Sequence, residues 1–179
     1  MTPLKRTLDF TAALSGLVLL PPLLGLVGFV VALSSPGPAL FRQARVGRHE
    51  RHFICYKFRT MYLGTAQRGT HEIGPGAVTP AGSFLRALKL DELPQLWNVL
   101  LGEMSLVGPR PCLPNQKRLI AERRKRGVFA IHPGITGLAQ IRGIDMSEPE
   151  RLAKLDETYL RTRSLGMDVR LILKTIFRI

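Results

Sequence analysis

The sequence is poor in cysteine, in aromatic residues and in acidic residues. Its two cysteines, Cys55 and Cys112, cannot build a disulfide framework, and no cysteine or histidine spacing matches a zinc site. Reduced thiols that face the cytosol fit this cysteine usage best. Aromatic residues make up 7% of the chain, which leaves few platforms on which nucleic-acid bases could stack.

The scarcity of acidic residues makes the chain strongly basic. It carries 26 Lys and Arg against 13 Asp and Glu, a formal net charge of +13 over 179 residues. Such an excess predicts an anionic partner: a nucleic acid, a membrane surface or a phosphorylated ligand. No recognition helix, zinc finger or RNA-binding aromatic pattern is present, and no Walker loop. A non-enzymatic basic protein anchored to a membrane, as a scaffold or as a nucleic-acid binder, is the alternative to an enzyme.

Residues 10–33 contain no charged side chain. As one helix they would reach roughly 36 Å, enough for a hydrocarbon core of about 30 Å. Pro21-Pro22 lies at the centre, where each proline removes an amide donor and clashes with the preceding turn. Basic residues flank both ends, and the positive-inside tendency then places both ends on the cytoplasmic side. The pattern favours a re-entrant helix, and a kinked spanning helix is the other reading.

Residues 39–62 alternate loosely between polar and apolar side chains, which predicts a strand or a short hairpin. Lys57 and Arg59 share one strand face with Cys55. A basic face of this kind suits either solvent or a phosphate group, and the pattern does not separate the two. A short helix is predicted over roughly 80–89, with Arg86 on its polar side.

The stretch from Leu90 to Pro111 combines two adjacent carboxylates with an apolar run. Asp91 and Glu92 precede this run, which Gly102 ends. Asp is a favoured N-cap and Glu suits the first turn of a helix, where Pro94 is also tolerated. The pair therefore predicts the capped start of an amphipathic helix. Its position between an apolar segment and many arginines also suits a catalytic role.

Three patterns follow in the second half of the chain. The basic run 123–126 predicts a solvated helix end or a contact with anionic lipid headgroups. Ser147 and Glu150 match a capping box at the start of a helix. The last helix, 167–179, suits either a membrane interface or ordinary packing. Its apolar and basic faces are formed by Val169, Ile172, Leu173 and Ile176, and by Arg170, Lys174 and Arg178.

Over nearly its whole length the chain resembles the small monotopic bacterial sugar transferases, which are polyprenyl-phosphate phosphoglycosyl transferases. The matching segments are KRTLDF (5–10), the apolar segment broken by proline, YKFRTM (56–61), FLRALKLDELPQLWNVLLGEMSLVGPRP (84–111), PGITGLAQ (133–140) and the C-terminal helix with Asp168. The central block is long and specific.

The resemblance implies an activity and a set of site residues. Family members transfer a phospho-sugar from a UDP-sugar to undecaprenyl (polyprenyl) phosphate and release UMP, as the first membrane step of glycan assembly. The resemblance makes Asp91 the nucleophile of a covalent aspartyl phospho-sugar intermediate, and it implies that Glu92 and Asp91 are ligands of Mg²⁺. It implies substrate binding by Arg86, which would hold the polyprenyl phosphate, and by Lys57, Arg59 and Arg110. Where many members carry an Asn-Gly-Arg-Asn-like run, this chain has IRGIDMSEP, which leaves Arg142 as the nearest cation for the nucleotide or sugar.

The resemblance also implies an architecture. We expect an α+β, mostly helical fold in which a re-entrant membrane helix (1–36), broken at Pro21-Pro22, precedes a small catalytic domain (37–179) with interfacial amphipathic helices. We expect this domain to lie at the cytoplasmic face of the bacterial inner membrane. The expected partners are a UDP-sugar, polyprenyl phosphate and the lipid bilayer, and not nucleic acid. The sequence leaves open the sugar, the glycan pathway and the oligomeric state, a homo-oligomer included.

Overall fold

Short helices around two small sheets make up the fold. The computed structural model describes residues 2–65 and 74–177 of the chain. Within these residues the α-helices are α1 (Pro3–Leu19), α2 (Pro21–Ser34), α3 (Pro80–Leu88), α4 (Gln95–Leu101), α5 (Lys117–Lys125), α6 (Leu138–Ile141), α7 (Pro149–Thr162) and α8 (Leu165–Phe177). The strands are β1 (Leu40–Val46), β2 (His52–Phe58), β3 (Ser105–Val107) and β4 (Gly134–Thr136). The predicted class, α+β and mostly helical, is confirmed. Arg178 of the predicted basic face lies outside the described residues.

The apolar N-terminal segment forms two helices, α1 and α2, that meet at an angle of 67°. The helix breaks at Leu20, because the two prolines that follow have no amide donors and suit the first turn of a new helix. The predicted break at Pro21-Pro22 is confirmed. Among the described residues no single helix has both the length and the apolar composition to cross a membrane, whereas this bent pair has them in combination.

Strands β1 and β2 form the predicted hairpin. They pair antiparallel, with Gln43 opposite Cys55 and Val46 opposite His52. Helix α4 docks on this hairpin through the buried side chain of Asn98. Its amide oxygen accepts a hydrogen bond from the Tyr56 amide at 3.1 Å, and its amide nitrogen donates to the Ile54 carbonyl at 2.7 Å. The two bonds fix α4 beside the strand that carries Lys57.

The motifs GPRP and PGIT meet in the second sheet. Strands β3 and β4 pair parallel, with Ser105 opposite Gly134. A Cβ atom on Gly134 would lie 2.0 Å from the amide nitrogen of Gly108. Only glycine allows the two backbones to approach this closely. The contact fixes the loop that follows β3, which carries Arg110.

Buried polar contacts tie α1 and α8 to the rest of the fold. Asp9 accepts a hydrogen bond from the Ser105 hydroxyl at 2.7 Å. Lys5 Nζ lies 2.7 Å from Asp168 Oδ2, and Tyr159 donates to Asp168 Oδ1 at 2.7 Å. The start of α1 therefore packs on the part of the chain that the sequence analysis assigned to the catalytic domain. The division of the chain at residue 36 stays a prediction.

Arg123 corrects the prediction that the basic run 123–126 is a solvated helix end. Its guanidinium is buried, and its Nε donates to Asp156 Oδ2 at 2.9 Å while its Nη1 donates to the Arg110 carbonyl at 2.9 Å. Arg124 and Lys125 do extend to the surface. Successive helical residues point about 100° apart, so four basic residues in a row must turn one of them towards the core.

The predicted capping box of Ser147 and Glu150 is wrong. Ser147 bonds back to Asp145 Oδ1 through its amide at 2.8 Å and its hydroxyl at 2.6 Å. Helix α7 begins at Pro149 instead, because the fixed φ of proline suits the first helical position. The Glu150 carboxylate reaches Arg118 on α5 at 2.7 Å.

Candidate active site

Asp91 and Glu92 lie in a 3₁₀ turn between α3 and α4. Helix α3 ends before Lys89, which adopts a left-handed conformation with φ 58°, and α4 begins only at Gln95. Pro94 occupies the N-cap position of α4, so the prediction that Asp91 caps a helix is wrong. Among the described residues no group donates a hydrogen bond to the Asp91 carboxylate, although the side chain is buried. Its lone pairs are therefore uncommitted.

Glu92, the next residue, is held from two sides. Lys57 Nζ on β2 donates to Glu92 Oε1 at 2.8 Å. Arg110 Nη2, on the loop after β3, donates to the same oxygen at 2.5 Å. Three segments that lie far apart in the chain thus converge on one carboxylate oxygen.

The two carboxyl groups have pKa values shifted in opposite directions. Burial raises the pKa of Asp91 above its ordinary value, and the charge of Glu92 adds to this, although Lys57 and other cations oppose it. Burial alone would also raise the pKa of Glu92, but the charges and hydrogen bonds of Arg110 and Lys57 outweigh it and hold that pKa well below its usual range. Glu92 is therefore a fixed anion, whereas Asp91 is an anion that its surroundings stabilise poorly.

Arg45 is a further candidate site residue, which no sequence pattern indicated. Its Nη1 donates to the Pro111 carbonyl at 2.9 Å and its Nη2 donates to Gln43 Oε1 at 2.6 Å. Burial, followed by the charge of Arg110, lowers the pKa of Arg45 to about 10. The register of the hairpin explains why Arg45 lies near Lys57. Gln43 lies opposite Cys55, so alternate residues of β1 that include Arg45 share the face of Lys57.

Arg86 projects from the last turn of α3. Its Nε donates to the Thr60 hydroxyl at 2.8 Å. Burial lowers the pKa of Arg86, although the charge of Asp91 opposes this shift. The side chain lies close enough to Asp91 to act on the same ligand.

Arg59 and Arg142 are placed differently from the other predicted site residues. Arg59 is buried, and its Nη2 donates to the Ser35 carbonyl at 2.6 Å and to the Val31 carbonyl at 3.4 Å, at the end of α2. A cation suits the negative end of a helix dipole. Arg142 is exposed at the end of α6 and does not line the cavity described next. The binding roles implied for the two arginines stay predictions.

A cavity of about 900 Å³ joins these groups. Its volume is in the range of small-molecule sites. Among its described lining residues, six are Lys or Arg and two are Asp or Glu. The cations are Arg45, Lys57, Arg59, Arg86, Lys89 and Arg110, and the carboxylates are Asp91 and Glu92. The lining also includes apolar side chains, among them Leu106, Ile135, Ile172 and Ile176. An excess of positive charge in a partly apolar cleft suits an anionic ligand that also carries apolar groups.

Asp91 and Glu92 also fit a magnesium ion. Mg²⁺ is usually bound by one or two carboxylates, with phosphate oxygens and water as the remaining ligands. Glu92 is ionised, and both of its hydrogen bonds end on Oε1. No third His, Cys, Asp or Glu joins the pair within residues 2–65 and 74–177. The donor set therefore suits an ion that binds together with a phosphorylated ligand.

Comparisons with known proteins place the chain in a family. A family model described as bacterial sugar transferase matches residues 1–179. The undecaprenyl-phosphate glucose phosphotransferase of Komagataeibacter xylinus is 43% identical over 97% of this chain and 35% of the relative. The UDP-N-acetylgalactosamine-undecaprenyl-phosphate N-acetylgalactosaminephosphotransferase of Aeromonas hydrophila is 36% identical over 97% of this chain and 43% of the relative.

The match includes a larger share of a shorter relative. The UDP-glucose:undecaprenyl-phosphate glucose-1-phosphate transferase of Caulobacter vibrioides is 40% identical over 96% of this chain and 68% of the relative. The chain thus spans less than half the length of the first two relatives and about two thirds of this one. Because the family model matches residues 1–179, we conclude that this chain belongs to the bacterial sugar transferase family.

Proposed function

We propose that this chain transfers a phospho-sugar from a UDP-sugar to undecaprenyl (polyprenyl) phosphate and releases UMP, as the first membrane step of glycan assembly. The observation that carries the proposal is the pair of unequal carboxylates. Glu92 is clamped by Lys57 and Arg110, while Asp91 beside it is buried and accepts no hydrogen bond among the described residues. The names of the relatives, which specify glucose and N-acetylgalactosamine, supply the substrate class.

In the first step Asp91 attacks the β-phosphorus of the UDP-sugar. A bond forms between a carboxylate oxygen and phosphorus, and the bond to the bridging oxygen breaks. UMP leaves with that oxygen and its electron pair, and the aspartyl phospho-sugar remains. Arg110, Lys57 and Arg45 offset the charge of the diphosphate, which would otherwise repel the carboxylate.

In the second step a phosphate oxygen of the polyprenyl phosphate attacks the phosphorus of the aspartyl phospho-sugar. The polyprenyl diphospho-sugar forms and the Asp91 carboxylate is restored. Arg86 holds the phosphate of this acceptor. Glu92, with Asp91, would hold Mg²⁺, and the bound ion would supply further neutralisation of phosphate charge.

We also propose that α1 and α2 enter and leave the bilayer from the cytoplasmic face of the inner membrane. Both ends of the bent pair of helices contact residues of the segment 37–179. Lys5 pairs with Asp168, and Arg59 donates a hydrogen bond to the end of α2. Large apolar side chains are exposed along both helices, which suits lipid rather than water. They include Leu14, Val18, Leu19, Leu26, Phe29 and Leu33. The exposed Val169, Leu173 and Ile176 of α8 suit an interfacial position.

UMP release tests the reaction. Purified protein in detergent with Mg²⁺ is offered a panel of UDP-sugars, with and without undecaprenyl phosphate, beside Asp91→Asn. We expect acceptor-dependent turnover with one donor, lost in the variant. Turnover by the variant at the wild-type rate would refute the nucleophile, and a folded protein silent with every donor would favour the scaffold alternative.

Cysteine labelling tests the topology. A cysteine at Thr2, which is exposed, is treated with an impermeant maleimide in intact spheroplasts and in inverted vesicles. We expect labelling only in inverted vesicles, where the cytoplasmic face is accessible. Labelling only in spheroplasts would refute re-entry. Cys55 and Cys112 are buried, so the parent protein provides the background.

A further inference from the structure

Arg86 has one side-chain partner among the described residues, the hydroxyl of Thr60. The bond runs from Arg86 Nε to Thr60 Oγ1 at 2.8 Å. It leaves the outer edge of the guanidinium, formed by Nη1 and Nη2, without a protein acceptor in that part of the chain. A guanidinium binds a phosphate through one planar edge, and here the outer edge is the one that remains.

Thr60 is itself held rigidly. It is buried, and its carbonyl accepts a hydrogen bond from the Thr79 amide at 3.0 Å. A Cβ atom on Gly82 would lie 2.1 Å from the same carbonyl oxygen, so the first turn of α3 packs directly on the Thr60 backbone. The hydroxyl is therefore fixed relative to the helix that carries Arg86.

Thr60 also lies close in sequence to two residues that are fixed elsewhere. Lys57 bonds Glu92, and Arg59 bonds the Ser35 carbonyl at the end of α2. The segment from Lys57 to Thr60 thus links Glu92, the end of the bent apolar pair and Arg86. A hydrogen bond from such a fixed point restricts a long side chain before any ligand arrives, which lowers the entropy lost on binding.

We infer that Thr60 is a positioning residue that directs the outer edge of Arg86 at the phosphate of the polyprenyl acceptor. This inference rests on the proposed function, because it assigns Arg86 to the acceptor and not to the UDP-sugar. Thr60 also lines the cavity, and the role inferred for it is exerted through Arg86. Its loss therefore weakens the step that uses the acceptor and leaves the attack of Asp91 on the donor intact.

Thr60→Val tests the inference, because it keeps the shape of the side chain and removes the hydroxyl. We expect the KM for undecaprenyl phosphate to rise about 10-fold, the upper end of the cost of ordering one long side chain on binding. We expect the UMP burst from donor alone to stay within about twofold of wild type. Thr60→Ser should restore the KM. Thr158→Val on α7, whose hydroxyl bonds the Lys154 carbonyl and no other group among the described residues, is the control and should change neither quantity.

A double-mutant cycle separates positioning from a general loss of structure. Lysine has no Nε–H group that Thr60 could orient. In the Arg86→Lys background, Thr60→Val should therefore raise the KM for undecaprenyl phosphate by less than about twofold. A full additional 10-fold rise, or an unchanged KM in Thr60→Val itself, would overturn the inference. Thr60→Ala carries the same test if the valine variant does not fold.

A binding titration keeps this test independent of the proposed reaction. Undecaprenyl phosphate in detergent micelles is titrated against wild type and Thr60→Val, with no donor present. Weaker binding by the variant supports the inference, and equal binding contradicts it. Wild type that binds the acceptor but releases no UMP with any donor would refute the proposed function and not the role of Thr60.

Discussion

Two buried ionic clusters lie on either side of Arg110, and they differ in their balance of charge. On one side Arg123 and Asp156 pair one to one, with side chains 2% and 3% exposed, and Arg123 also bonds the Arg110 carbonyl. On the other side the Glu92 carboxylate faces both Lys57 and Arg110. The first cluster is closed, and the second opens into the cavity.

The difference separates a structural ion pair from a binding site. Arg123 and Asp156 neutralise each other, so their contribution is to hold α5, α7 and the loop of Arg110 together. The cavity cluster has surplus positive charge and, in Asp91, a carboxylate that accepts no hydrogen bond within the described residues. A phosphorylated ligand supplies the negative charge that this cluster lacks. The two clusters should therefore respond to mutation with opposite signs of stability change.

Asp91→Asn should have the largest effect on activity and yet stabilise the fold. We expect UMP release to fall at least on the order of 10³-fold, because a neutral amide is a poor nucleophile. We expect the thermal midpoint at neutral pH to rise, because burial and the charge of Glu92 raise the pKa of Asp91 and thereby disfavour its ionised form. Differential scanning fluorimetry in detergent measures the midpoint.

The pH dependence of the increase in thermal midpoint caused by Asp91→Asn tests whether this increase is electrostatic. The folded pKa of Asp91 lies above its unfolded value of about 3.9. The protonated form therefore stabilises the fold fully below the unfolded pKa, and this stability is lost as the pH rises through the folded pKa. The gain from Asp91→Asn should be larger at neutral pH than at about pH 4. An equal gain at both pH values would contradict this account.

Arg123→Met should destabilise the protein, in contrast to Asp91→Asn. It leaves Asp156 buried without its partner, for which we expect a loss of about 3–5 kcal/mol in the free energy of unfolding. Urea unfolding in detergent measures the change. Adding Asp156→Leu should recover most of the loss, since no uncompensated charge then remains. Arg124→Met, at the exposed neighbouring residue, is the control. A similar loss of unfolding free energy in this variant would show that burial of the Arg123–Asp156 pair is not the cause.

Glu92→Gln should lower activity on the order of 10²-fold and change its pH dependence. Burial and Arg110 lower the pKa of Lys57, and Glu92 opposes them. Without the carboxylate the pKa of Lys57 falls further, so the alkaline limb of the pH–activity profile should move to lower pH. Glu150→Gln at the exposed pair with Arg118 is the matched control, and its profile should coincide with wild type.

Arg142→Ala should have the smallest effect. Because Arg142 is exposed and does not line the cavity, we expect kcat/KM for the UDP-sugar to stay within about twofold of wild type. Steady-state UMP release measures the ratio. A tenfold loss confined to KM for the donor would show instead that Arg142 reaches the nucleotide or sugar, as the resemblance implies.

Patterns that depend on short stretches of chain were predicted well. Two adjacent prolines end a helix that would otherwise run through them, and most of the alternating stretch 39–62 forms the hairpin of β1 and β2. The capping predictions failed at Asp91 and at Ser147, since Pro94 and Pro149 set the starts of α4 and α7. A side chain that can cap a helix does so only if the backbone starts the helix beside it.

The resemblance named most of the charged residues that the structure brings together. Asp91, Glu92, Lys57, Arg86 and Arg110 line one cavity, and their roles stay predictions. Arg59 also lines it but bonds the end of α2, and Arg142 lies outside it. Arg45 and Thr60 were not selected. Their roles depend on the strand register and on the packing of α3, which no sequence motif marks.

The sequence by itself determined the bent apolar segment, the hairpin, the family and the adjacent carboxylates. These features depend on backbone torsion, missing amide donors and residue order, which are properties of neighbouring residues. Only the tertiary structure decided which of the many cations act together. Lys57 and Arg110 meet at Glu92, and Arg123 is enclosed with Asp156, because segments far apart in the chain pack against one another. The electrostatic partner of a charged residue is fixed by position in space, and residue order alone does not specify it.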